Sequence, residues 1–185
     1  MEPWRSVHLT RARQVGELME LRGAELPAPD VPVRAHYAAL RAADPAKAVA
    51  YIGHALPRRE AIHWAAGLID PAATTPSSPE RTAIERARLW LKDPDDAKRR
   101  DAYAAAQSAD REAPERTLAT AIFYSGGSIA PEGVAPVQPA PGLANRLAVV
   151  AVVQAAWRST DPRGFFAQAL ERAEAIAEHG IQPRQ

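Results

Sequence analysis

Apolar residues recur at three- and four-residue intervals along most of this chain, and prolines interrupt the pattern. Between Pro57 and Asp70, the residues Ala61, Ile62, Trp64, Ala65, Leu68 and Ile69 fall on one broad arc of a helix, with Arg59, Glu60 and His63 opposite. Proline suits the first helical position because its missing N–H would be unpaired there anyway. Pro57 is therefore expected to open this helix and Pro71 to stop it. Arg58 lands inside the apolar arc. A guanidinium on a buried side needs a carboxylate or carbonyl partner, from another helix or from an acidic ligand.

The same punctuation predicts the other elements. Thr10 is read as the cap of a helix reaching Leu21-Arg22 and closed by Gly23. Pro32 begins one to Ala43, with Val33, Tyr37 and Leu40 inward; Asp44-Pro45 begins another to Ala55, with Ala48, Val49, Ile52 and Leu56 inward. Ser78-Pro79, Asp93-Pro94, Pro114 and Asp161-Pro162 each open one more. In the stretch Leu143 to Arg158, the residues Leu147, Val149, Val150, Val152, Val153 and Trp157 surround the axis instead of lining one side. A helix apolar all round is usually central, so this one is taken as the hub. Trp64, Trp90 and Trp157 are expected on inward faces, and Trp4, ahead of the first helix, in solvent. No run shows the period-two alternation of a strand. The expected fold is all-α: one helical domain over residues 1–185, a compact bundle of about eight helices around a buried helix near residues 143–158.

One linker stands apart. Ser125-Gly126-Gly127-Ser128 suits a helix stop and a backbone reversal. Pro131, Pro136, Pro139 and Pro141 then impose an extended, polyproline-like path, read as a strap across the body to the hub helix.

Composition narrows the function classes. Alanine exceeds one residue in five, which favours helices packed closely through small side chains. A formal net charge of +1 gives no global field to draw in nucleic acid or an anionic membrane. Cysteine is absent, which removes disulfides and thiolate metal sites. The first ten residues hold no apolar core of a signal peptide, and the longest apolar run, Leu147 to Trp157, is 11 residues, too short for a bilayer. A cytoplasmic protein is expected.

The candidate chemistry is thin. Glu60 and His63 have the E-x-x-H spacing of carboxylate-bridged di-iron helices, but there is no second pair, so neither metal nor cofactor is expected. Ser125-Gly126-Gly127-Ser128 lacks the lysine and preceding strand of a phosphate loop. Arg81, Arg86, Arg88, Lys92, Lys98, Arg99 and Arg100 form a basic stretch, but Glu80, Glu85, Asp93, Asp95, Asp96 and Asp101 interleave with it. It reads as an ion-paired surface rather than a nucleic-acid contact.

Two segments resemble the signature stretches of a family of uncharacterised bacterial proteins: Ala55-Leu56-Pro57-Arg58-Arg59-Glu60-Ala61-Ile62-His63-Trp64-Ala65 and Phe123-Tyr124-Ser125-Gly126-Gly127-Ser128-Ile129-Ala130-Pro131. The resemblance runs from residue 45 to the C-terminus and departs from the pattern at His63, where an aromatic is commoner. It implies an accessory, adaptor or chaperone-like role beside type VI secretion machinery.

The reading that follows is a non-enzymatic protein-interaction module with a protein partner. Its patch is Arg58, Arg59, Glu60 and Trp64, and a strap turn at Ser125, Gly126 and Gly127 crosses the start of that helix and offers carbonyls to Arg58 and Arg59. The alternatives are a helical DNA-binding regulator, and an enzyme whose acid–base pair is Glu60 with His63 or His54.

Overall fold

Proline lies at or within two residues of the start of most of the helices, and a short side chain caps four of them. The computed structural model describes residues 2–70, 78–131 and 133–181. Among these lie nine α-helices, one more than expected: α1 (Ala12–Leu18), α2 (Val33–Ala43), α3 (Pro45–Ala55), α4 (Arg58–Leu68), α5 (Pro79–Lys92), α6 (Asp96–Ala106), α7 (Pro114–Phe123), α8 (Leu143–Arg158) and α9 (Pro162–His179). A short 3₁₀ turn covers Gly23–Glu25, and a single bridge pairs Arg11 with Pro32. The fold is all-α.

The Asp44, Ser78 and Asp161 side chains each accept a backbone N–H in the first turn of α3, α5 and α9, with proline just after them. Two starts differ from expectation. Asp93 is the C-cap of α5, and Asp95 caps α6 by accepting Lys98 N–H at 2.7 Å. Pro94 holds the residue before it extended, which delays the helix. Thr10 caps nothing with its side chain; instead Gln14 Oε1 accepts the backbone N–H groups of Thr10 and Arg11. The stop assigned to Pro71 lies outside the described residues.

α1 also ends early, at Leu18, although no glycine marks the place. Glu20 adopts the left-handed conformation at φ 60. Its N–H donates to Glu17 O, and Leu21 N–H donates to Gly16 O at 2.9 Å. This is the Schellman pattern, with glutamate in the usual glycine position.

α8 packs against α3, α4, α7 and α9, as a hub should. Its buried face is Ala144, Asn145, Ala148, Val149, Ala151, Val152, Ala155 and Ala156. The opposite face is not buried: Val150 is 40% exposed and Trp157 is 72% exposed, contrary to the inward placement expected of both. The more enclosed helix is its neighbour α7, buried at Pro114, Glu115, Thr117, Leu118, Ala119, Ala121, Ile122 and Phe123. The centre is thus an α7–α8 pair, with α5 and α6 packed beyond α7. Trp4 also reverses expectation. It is buried, edge-on to Tyr37 at 5.1 Å, with the Arg34 guanidinium over its ring.

Polar groups tie the pair to its surroundings. Asn145 Nδ2 donates to Gly53 O and Leu56 O at 2.9 and 2.8 Å, filling carbonyls that the end of α3 leaves open. Glu115, fully buried near the start of α7, accepts both arms of Arg158 at the end of α8 (3.1 and 2.6 Å). The acid sits at a helix N-terminus and the base at a C-terminus, so both dipoles favour the pair.

Candidate functional site

The first turn of α4 is the natural starting point. Arg58 and Arg59 are exposed, and Glu60 is half-buried. Arg58 donates to the carbonyl of Ser125, as expected of a strap crossing this helix end. It does not lie on the buried side, because a first-turn side chain overhangs the end of the core and a long stem carries the charge outward. No carboxylate pairs with it among the described residues. Arg59 receives no strap carbonyl among those residues, and its charge adds to the burial that lowers the pKa of His63.

Trp64 does not join this patch. Its ring is buried between helices, and its indole N–H donates to Ala169 O of α9 at 2.8 Å. The four residues expected to form one surface therefore split. Arg58 and Arg59 face solvent beside the strap, while Trp64 is a core tryptophan with its polar tip satisfied.

The strap is held mainly by two residues that sequence reasoning assigned to a solvated surface. Arg99, 3% exposed, donates to Asp96 Oδ1, Phe123 O and Ser128 O, and its guanidinium sits 4.8 Å from the Phe123 ring centre. Arg100 donates to Asp96 Oδ2, Ser128 O and Ala130 O. A planar fork can serve several fixed acceptors at once, which an ammonium cannot. Hydrogen bonds from Arg99 and then Arg100 hold the Asp96 carboxyl below its ordinary range. Gly127, at φ 65, completes the fit; a Cβ there would meet Asp96 Oδ1 at 2.9 Å and Arg99 Nη2 at 3.1 Å.

Beyond Ser128 the strap does not run straight. Ile129 N–H donates to Val137 O at 2.8 Å, and Ser128 Oγ accepts from Ala130 N–H and Val137 N–H. The segment doubles back into a loop with Val134 and Val137 exposed.

The remaining basic stretch is largely neutralised. Arg86 pairs with Asp101 at 3.3 Å, and Lys98 with Asp93 at 2.7 Å and with Asp95. Glu60 and His63 share no hydrogen bond. His63 Nε2 is buried without a partner, and burial, helped by Arg59 and opposed by Glu60, lowers its pKa. His54 is buried with Nδ1 at 2.8 Å from Ala50 O, and burial lowers its pKa too. Among the described residues no three His, Asp or Glu side chains converge as metal ligands, and no helix is long and apolar enough to cross a membrane.

The feature that sequence reasoning missed is the open side of α8. At helical spacing Leu147, Val150, Gln154 and Trp157 share one stripe. Leu147 is partly buried, Val150 and Trp157 are exposed, and Gln154 Oε1 is buried without a hydrogen-bond partner. An apolar ridge thus contains one unfilled acceptor. The run was legible as apolar; nothing in it marked which side stays in water.

A model for a family of unknown function (DUF6931) matches residues 36–177. The match leaves out α1 and begins inside α2. No curated protein and no solved structure matches the chain.

Proposed function

The chain belongs to DUF6931, a family of unknown function, and from that premise we propose that it is a non-enzymatic protein-interaction module docking through the open face of α8. The observation carrying this reading is Trp157, 72% exposed on a helix whose other face is fully packed. Scattered exposed aliphatics are ordinary, but tryptophan is the side chain most enriched among residues that dominate binding energy. Val150, exposed, and Leu147, partly buried, extend the ridge. An accessory or adaptor role beside type VI secretion machinery, implied by the resemblance of the two signature segments, is the setting we propose for it.

The test compares affinity capture from the native host using the wild-type chain, Trp157→Ser, and Arg58→Ala with Arg59→Ala. The reading expects a specific protein to be lost with Trp157→Ser and kept when both arginines are changed. The same captured set in all three would remove the α8 face from the proposal. Loss only with the arginine variant would return the site to the start of α4. Mass spectrometry of the captured protein tests the secretion setting separately.

A further inference from the structure

The segment ahead of α1 is seated on the body like a bound peptide. Residues 2–9 form neither helix nor strand. Trp4 and Val7, three apart, are buried, while Glu2, Pro3, Arg5 and His8 stay exposed. Trp4 enters a cleft between α2 and α9, which both pack on α3 but not closely on one another. Tyr37 of α2 meets the Trp4 ring edge-on at 5.1 Å. Arg34 of α2 does two things: it lies 5.7 Å from the centre of the same ring, and its Nη1 donates to Glu2 O at 2.9 Å. Ser6 N–H donates to Ala177 O at 2.9 Å, filling a carbonyl that the last turn of α9 leaves open. Backbone hydrogen bonds combined with a pocket for one side chain are how extended peptides are recognised.

Three observations make this occupant exchangeable. The Trp4 N–H makes no hydrogen bond among the described residues, whereas the N–H of the core Trp64 is bonded to Ala169 O. The segment also leaves space. Beside Trp4 a groove of about 840 Å³ continues between Ala38 and Ala42 of α2 and Ala175 of α9, so a longer occupant keeps the tryptophan contacts and adds others. Finally, the family match runs from residue 36 to 177; Tyr37 and Ala177 lie within it and the resident segment outside it. We propose that this cleft is a peptide-binding site whose internal occupant is residues 2–9. Its external ligand is an extended segment of a partner protein, with a tryptophan and a branched apolar residue three positions later. The site holds the ring, the carbonyl two residues before it and the N–H two residues after it. It goes beyond the α8 ridge and does not depend on it.

The probe is the unlabelled peptide acetyl-Glu-Pro-Trp-Arg-Ser-Val-His-Leu-amide, titrated into the isotope-labelled full chain and followed by NMR. Displacement should move the chain's own Trp4 indole and Ser6 amide signals to solvent-exposed positions. The Glu178 amide, which follows the Ala177 carbonyl, should keep its place. An attached segment competes at an effective concentration in the millimolar range. Trp4→Ala weakens that competitor, so the variant should bind the peptide at least about tenfold more tightly than the wild type. Replacing the peptide's tryptophan with alanine should weaken binding about thirtyfold or more, as for a dominant contact residue. No binding to folded Trp4→Ala, or equal affinity for it and the wild type, overturns the proposal. Hydrogen exchange of the wild-type chain tests the same point without a variant. Ser6 N–H should exchange through local opening, about a hundredfold or more faster than the buried Val152 of α8. Exchange at Ser6 as slow as at Val152 means that the segment leaves only on global unfolding, and overturns the proposal too. Dimerisation that Trp4→Ala abolishes would overturn the assignment to a different protein and give the cleft to a second copy. The Trp157 indole serves as the internal reference, so failure here leaves the α8 reading standing.

Discussion

Replacing Gly53 with alanine tests the packing that places α8. Gly53 lies inside α3 and is buried. A Cβ built on it would come within 2.9 Å of Trp64 Cζ3 and closer still to Val149 Cγ2. Carbon atoms in contact prefer about 3.5–4.0 Å, so α3 would have to move by about 1 Å. Alanine in a helix interior gains about 1 kcal/mol over glycine. Overpacking a tight core costs about 1–3 kcal/mol, and valine in a helix has one strongly preferred rotamer and cannot swing aside. The shift would also pull Gly53 O from Asn145 Nδ2, worth about 1 kcal/mol more. The costs exceed the gain, and the net loss should be about 2 kcal/mol. For a chain of this size that lowers Tm by about 4–8 °C. Urea unfolding should show a lower midpoint with an unchanged slope. In a Val149→Ala background the closest contact is removed and only the Trp64 ring still crowds the new Cβ, so Gly53→Ala should cost about 1 kcal/mol less there. If Gly53→Ala is neutral or stabilising, or costs the same in both backgrounds, α3 and α8 do not meet as described.

Three other perturbations probe separate parts of the molecule. In the Glu115–Arg158 pair the two deletions should be unequal: Arg158→Gln strands a fully buried carboxylate and should cost about 3 kcal/mol, whereas Glu115→Gln leaves a guanidinium that can reach water and should cost less, about 1–2 kcal/mol, both by chemical denaturation. Gly127→Ala imposes a left-handed alanine against Asp96 and Arg99 and should cost about 1–2 kcal/mol, with faster hydrogen exchange at Ile129, whose N–H bonds Val137 O. His36, His54 and His63 all have pKa values lowered by burial from 6.5. Below pH 6.5 the unfolded chain therefore takes up protons before the folded one does. Stability should fall as pH drops from 6.5 toward the folded values and level off beneath them, by at most about 1.4 kcal/mol per pH unit for each histidine. Replacing His54 with glutamine should flatten that slope in a pH series of urea midpoints.

What could be read from the sequence was local. Asp44-Pro45, Ser78-Pro79 and Asp161-Pro162 carry their own cap chemistry, and each starts a helix where expected. The arcs through Trp64, Trp90 and Leu170 are core because periodicity reports a buried side directly. Errors arose where the deciding partner was a backbone carbonyl or the far side of an apolar run. Arg99 and Arg100 stand three and four residues after Asp96, which looks like a surface ion-pair ladder. Their acceptors Phe123 O, Ser128 O and Ala130 O carry no sequence signal. Arg58 was read by projecting a continuing helix, yet at its first residue no turn precedes it to cover the side chain. Trp157 was placed inside because α8 has no polar side to mark the water. Of the two candidate segments, the Arg58–Ser125 contact was legible and the separation of Trp64 from it was not.

The α8 ridge can be weighed as an interface. A tryptophan buries about 150–250 Å² in full, so the exposed part of Trp157 offers about 150 Å² and, at about 25 cal/mol per Å², about 4 kcal/mol. Val150, less exposed, adds about 1 kcal/mol more. Association costs at least about 4 kcal/mol in lost translation and rotation. The ridge alone therefore supports no stable complex, and a standard interface covers about 800 Å² on each side. Two features lower the deficit. The helix is clamped by Asn145 at one end and by Glu115–Arg158 at the other, so little backbone freedom is left to lose on docking. Exposed Val134 and Val137 lie in the strap that leads directly into α8, and they are the nearest apolar surface in sequence. A partner that covers Trp157 tightly must reach past the ridge, so removal of Val134 and Val137 together should weaken capture while leaving the helical core, and hence the unfolding midpoint, unchanged. Capture insensitive to both valines would mean that the additional area comes from another face of the bundle.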